Sequence, residues 1–115
     1  MSTSSKRPAR SDSLRGALDL LVLRVLSAEP LHGYAIARKI RVLTDDALSV
    51  EEGSLYPALY RMERNGWVEA SWGKNENNRR VRAYELTSDG AKQLQVEVEG
   101  WDSFARAIAK VVDPV

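Results

Sequence analysis

The chain has 115 residues, 43% hydrophobic and 29% charged, with a formal net charge of +1. That is one domain's worth of globular chain with a small core, neither disordered throughout nor fibrous. It holds no cysteine and a single histidine, His32, which excludes disulfides and thiolate chemistry and argues against a His-rich metal site or a His-based catalytic triad.

Residues 1–12 are rich in Ser, Lys, Arg and Pro and nearly free of apolar side chains, so a flexible basic arm is expected there. No apolar region follows the arm directly, and no run of 18 apolar residues occurs anywhere. Neither a secretory signal nor a membrane span is expected, and a cytoplasmic location is the default. From Leu14 to Ala28, the residues Leu14, Leu18, Leu21, Val22, Val25 and Leu26 recur at helical spacing, with Arg15, Asp19 and Arg24 on the other side. Glu29-Pro30 stops this helix.

Leu31-His32-Gly33-Tyr34 reads as a short turn, with His32 holding the entry to a second helix over 33–43. Ile36, Ile40 and Leu43 are its inward positions, and Arg38, Lys39 and Arg41 its outward ones. Leu48-Ser49-Val50 is consistent with a very short strand. A third helix is predicted over 51–65, with Ser49 and Glu52 in capping-box spacing, an inward stripe of Leu55, Leu59 and Met62, and Asn65-Gly66 as its stop. Residues 67–72 and 79–86 carry strand signals on either side of a wholly polar loop, which predicts a hairpin with a long, flexible, charged tip. Thr87-Ser88-Asp89 opens a last helix reaching about Val112, ~37 Å long at helical rise.

The order helix, helix, helix, hairpin, helix predicts a mainly α (α+β) fold. Residues 13–87 would form a winged helix-turn-helix with a two-stranded β wing, and residues 88–115 a long C-terminal dimerisation helix. In such a motif the second helix of the pair reads DNA with its exposed side chains. Here these are Ser54, Tyr56, Pro57, Tyr60, Arg61 and Arg64, whose hydroxyls and guanidiniums suit phosphates and base edges. Lys74, Arg79 and Arg80 at the hairpin tip are placed to reach an adjacent backbone or the minor groove, and Tyr34 either packs or donates to phosphate. The alternatives are a core role for Tyr56 and a plain solvated surface for Arg61 and Arg64. Pro57 is read as lying early enough in its helix for the missing N–H to cost little. The charge distribution agrees: residues 1–88 carry 14 Lys and Arg against 11 Asp and Glu, and residues 89–115 carry 3 against 5. Glu51 and Glu52 would repel phosphate and are expected to point away or to cap.

In the last helix Leu94, Val98, Trp101, Ala105, Ile108 and Val112 are spaced 4, 3, 4, 3 and 4 apart, an a/d seam widened by Phe104 and Val111. A second copy covers such a seam most readily, and folding back on the first helix is the alternative. Trp101 is a candidate ligand-binding residue, where a planar aromatic molecule would stack at the dimer axis; otherwise it is interface core. Gly100 beside it either permits a close approach or allows a bend.

The runs Gly16 to Leu23, Pro30-Leu31-His32-Gly33-Tyr34, Gly53-Ser54-Leu55-Tyr56-Pro57-Ala58-Leu59, Arg61 to Val68 and Arg82 to Gly90, with the later Trp101, resemble the PadR-like family of transcriptional regulators. The resemblance covers about Leu14 to Trp101, with Ala83 as a small departure. It implies a winged-helix homodimer joined through its C-terminal helix that represses by binding an operator, with the GSLYPAL helix as reader and the 74–80 loop as wing. It further implies the family's short subgroup with one C-terminal helix, and, as in some short members, a small aromatic effector near Trp101. The expected function is a dimeric DNA-binding regulator; the alternative is a winged-helix protein-interaction module without DNA binding. With no nucleophile–base pair, metal-ligand cluster or phosphate loop in the sequence, no enzyme activity, cofactor or metal is expected.

Overall fold

The computed structural model of the chain describes residues 9–113. Its elements follow in the order α1 (Ala9–Leu26), β1 (Leu31–His32), α2 (Gly33–Leu43), α3 (Glu52–Arg64), β2 (Val68–Lys74), β3 (Arg80–Leu86) and α4 (Ser88–Val112). This is the α+β winged-helix arrangement expected from the element order. α1 opens at Ala9, inside the stretch read as a flexible arm; residues 1–8 of that stretch lie outside the described residues.

The core forms where α1 meets every other helix and the sheet. α1 supplies Leu18, Val22, Leu23, Val25 and Leu26, α2 supplies Ile36 and Ile40, and α3 supplies Leu55, Ala58, Leu59 and Met62. Val68, Tyr84 and Leu94 close it from the sheet and α4. Each large side chain so buried contributes roughly 1.5–3 kcal/mol. Two inward assignments change. Leu23, off the expected stripe, is fully buried, because α1 is covered on more than one side. Leu43, expected inward, is exposed at the last turn of α2.

The segment read as a turn at 31–32 is a strand. Leu31 pairs with Tyr84 and His32 with Ala83, so the sheet has three antiparallel strands in the order β1-β3-β2. Two residues are too short to leave an alternation signal, and their pairing depends on β3, some fifty positions away. With β1 on that edge of β3, residues 48–50 find no place in the sheet and are not a strand.

The caps set the angles between elements. His32 is the N-cap of α2, its Nδ1 accepting the Ala35 amide at 3.3 Å. The capping box expected from Ser49 and Glu52 does not form: Glu51 is the N-cap of α3, and its side chain makes no cap bond. α3 ends as its Asn-Gly predicts. Gly66 takes φ 78°, and the Trp67 and Gly66 amides return to the Met62 and Glu63 carbonyls at 2.9 and 3.0 Å. Thr87 then opens α4, accepting the Gly90 amide at 3.0 Å while its hydroxyl donates to the Gly66 carbonyl at 2.7 Å.

Candidate nucleic-acid interface

Burial of Leu55, Ala58, Leu59 and Met62 fixes which side of α3 is free. The opposite stripe runs Gly53, Pro57, Tyr60, Arg64, all exposed. Arg64 lies over the Tyr60 ring, its Cζ 5.5 Å from the centroid, a contact that holds both side chains out on this face. Pro57 stands six residues into α3, past the first turn. It therefore has no N–H to give to the Gly53 carbonyl, and the expectation that its missing donor costs little does not hold. Ser54 is exposed on one flank of the stripe and Tyr56 on the other.

Arg61, grouped with the exposed set in the sequence, sits differently. Its guanidinium forks onto the Asp19 carboxylate of α1, at 2.9 and 3.1 Å for the two nearest contacts. Both side chains are largely covered, so Arg61 braces α3 against α1. Asp19, read only as a polar position of α1, is the residue the sequence could not connect to it.

The wing continues a core face outward. In an antiparallel pair directly opposed residues share a face. Val68 opposite Leu86 and Ala70 opposite Tyr84 pack inward; the next pairs on that face are Trp72 opposite Arg82 and Lys74 opposite Arg80. The strands outrun the core, and this face emerges beside α3. There Arg82 reaches Glu63 of α3 at 3.1 Å, and the Trp72 ring lies 4.4 Å from the Arg80 guanidinium carbon and 5.9 Å from that of Arg82. Trp72 and Arg82 were absent from the sequence-derived site. The period-2 alternation from Val68 through Ala70 marks their face, but not that the strand leaves the core before Trp72.

The tip, expected as a polar loop, is a hydrogen-bonded turn. The Asn75 carboxamide oxygen accepts the Asn77 and Arg79 amides at 2.9 and 3.0 Å, the Asn75 amide bonds the Arg79 carbonyl at 3.0 Å, and Asn78 turns the chain at φ 62°. Lys74, Arg79 and Arg80 leave this hydrogen-bonded tip exposed.

Between the start of α2 and the wing lies an open cleft of about 490 Å³, lined by His32, Tyr34, Tyr56, Trp72, Arg80 and Arg82 among others. Tyr34 is exposed, its ring parallel to that of His32 at 6.4 Å. Tyr56 crosses the cleft floor so closely over Gly33 that a Cβ there would lie inside its phenol. Burial, then the Glu52 carboxylate, pushes the Tyr56 pKa up. Burial also raises Tyr84, with Glu63 and Tyr56 adding to it and Arg82 opposing. Both phenols therefore keep their protons, and their donors, at neutral pH. Glu51 and Glu52 are exposed, and Glu51, the N-cap residue of α3, makes no side-chain cap bond.

α4 divides in two. Leu94 is buried in the core of its own domain and Val98 packs against it, so these two seam positions are already occupied. From residue 99 onward every described side chain is exposed, including Trp101, Phe104, Ala105, Ile108 and Val112. Trp101 and Phe104 lie against each other, centroids 5.8 Å apart. A Cβ added at Gly100 would meet nothing within 4 Å, so no close approach among the described residues requires that glycine.

Residues 22–96 match the model of the transcriptional regulator PadR-like family. An uncharacterized protein of Lysinibacillus sphaericus is 32% identical over 92 residues, spanning 80% of this chain and 84% of that protein. A transcriptional regulator from Clostridium thermocellum superposes with a TM-score of 0.81 at 31% identity, over 89% of this chain and 99% of the other. A PadR family transcriptional regulator from Eggerthella lenta does so with a TM-score of 0.74 at 27% identity, over 93% of this chain and 92% of the other.

Proposed function

The chain belongs to the PadR-like family of transcriptional regulators, and from that premise we propose that it is a homodimeric repressor that reads operator DNA with the Gly53–Pro57–Tyr60–Arg64 face of α3 and steadies it with the wing. Members of this family regulate transcription by binding DNA and are not enzymes. The observation that carries the finer reading is the charge on one side of the molecule. Arg64, Lys74, Arg79 and Arg80 form no ion pair among the described residues, while Arg61 and Arg82 are paired with Asp19 and Glu63. A local basic face suits a polyanion even at a net charge of +1.

The distal half of α4 supports the dimer. Its exposed Trp101, Phe104, Ile108 and Val112 form an apolar stripe, which a two-fold copy would bury. Such a dimer sets two α3 helices against half-sites about one helical turn apart. An aromatic effector stacked at Trp101 would change the spacing of the two wings and release the operator. An effector that saturates the dimer without changing its operator affinity would sink that last element.

Fluorescence anisotropy tests the core of the proposal. Duplex from upstream of the chain's own gene is titrated across a salt series, with a scrambled duplex as control. Tight, sequence-preferring binding should weaken steeply with salt, as roughly 6–10 phosphate contacts require. No binding to any duplex at low salt would favour a protein-interaction module instead.

A further inference from the structure

Trp72 is a large apolar side chain left 58% exposed on the wing. No core packing explains it, since the strands have left the core where it stands. Its surroundings are cationic. Arg82 is directly opposite and Arg80 diagonal to it, their guanidinium carbons 5.9 and 4.4 Å from the ring centroid. The two arginines differ in what else holds them. Arg82 is fixed by Glu63 at 3.1 Å and lies 5.9 Å from the Tyr84 ring. Arg80 forms no ion pair among the described residues and lies over the indole.

A long, free arginine at a hairpin end samples many rotamers, and ordering it on binding opposes affinity. An aromatic face removes much of that freedom, leaves the guanidinium edge and its donors open, and lowers the cost of stripping its water. We propose that Trp72 is a positioning residue for DNA recognition: its indole holds Arg80 in a pre-set, uncompensated pose at the mouth of the cleft beside α3, so that one wing cation meets the DNA already ordered. This rests on the DNA-binding reading above, with Trp72 acting through Arg80.

The test is a double-substitution cycle on the full chain, with a duplex that the wild type selects from a random-sequence pool. Trp72→Leu should weaken binding about two- to fivefold, the range of an exposed cation–π contact. Trp72→Tyr, which keeps an aromatic face, should bind within about twofold of wild type. Arg80→Ala should lower the slope of log affinity against log salt by about one. Adding Trp72→Leu to Arg80→Ala should change affinity by less than about twofold, since the group being positioned is then absent. Thermal midpoints should stay level, because Trp72 lies outside the core. Trp72→Leu binding like wild type, or its full loss persisting in the Arg80→Ala background, overturns the proposal while leaving the DNA-binding reading intact. A wild type that selects no duplex removes both.

Discussion

Asp19 and Arg61 stand 42 positions apart and meet as a two-pronged ion pair between α1 and α3. Arg64, one turn further along α3, is exposed, lies over the Tyr60 ring and forms no ion pair among the described residues. The two arginines should therefore separate cleanly. Arg61→Ala is expected to cost about 1–2 kcal/mol in urea unfolding, since it removes a two-pronged, largely covered ion pair that ties α3 to α1. Arg64→Ala should leave stability within about 0.5 kcal/mol and instead weaken DNA binding, with a salt slope lower by about one. Gly33 makes a second prediction at this scale. A methyl there would lie 2.6 Å from the Tyr56 Cζ, so Gly33→Ala should destabilise by about 1–3 kcal/mol. The same change in a Tyr56→Ala background should be nearly neutral, a coupling that a double-mutant cycle measures.

Among the elements, the junction of α3, β2 and α4 decides how the wing domain and the last helix are joined. Thr87 makes three hydrogen bonds there: its amide donates to the Trp67 carbonyl at 3.0 Å, its hydroxyl donates to the Gly66 carbonyl, and that hydroxyl also accepts the Gly90 amide. Gly90 packs so tightly that a Cβ would collide with the Trp67 carbonyl. Thr87→Ala should lower stability by about 1 kcal/mol through loss of the cap. Gly90→Ala should cost more, because the obstacle is backbone and cannot swing aside. Thermal denaturation of the two variants ranks them.

Over the whole molecule, which extends 53 Å against 29 and 27 Å for the other axes, α4 is the longest element at 25 residues. Its near half is core and its far half is bare, so substitutions along one seam should act on different equilibria. Leu94→Ala should destabilise the fold by about 2–5 kcal/mol. Ile108→Glu should leave the fold stable and abolish the proposed dimer, read as a halved mass by sedimentation equilibrium. An Ile108→Glu chain that still sediments as a dimer would move the self-association surface elsewhere.

The four helices, the hairpin and the exposed side of α3 were legible in the sequence because they follow from local periodicity and caps: Leu55, Leu59 and Met62 name the buried side of α3, and Asn65-Gly66 names its end. β1 was not, since a two-residue strand exists only through its partner in β3. Arg61 could be placed on a helix but not against Asp19, and Trp72 on a strand but not beyond the core's edge. The sequence by itself determined which residues form elements and which sides of them are apolar, because neighbours a few positions apart settle both. Only the tertiary structure decided which cations are neutralised and which stand free, and where the α4 seam stops serving its own core. Both depend on charges and surfaces brought together from distant parts of the chain, which no local pattern encodes.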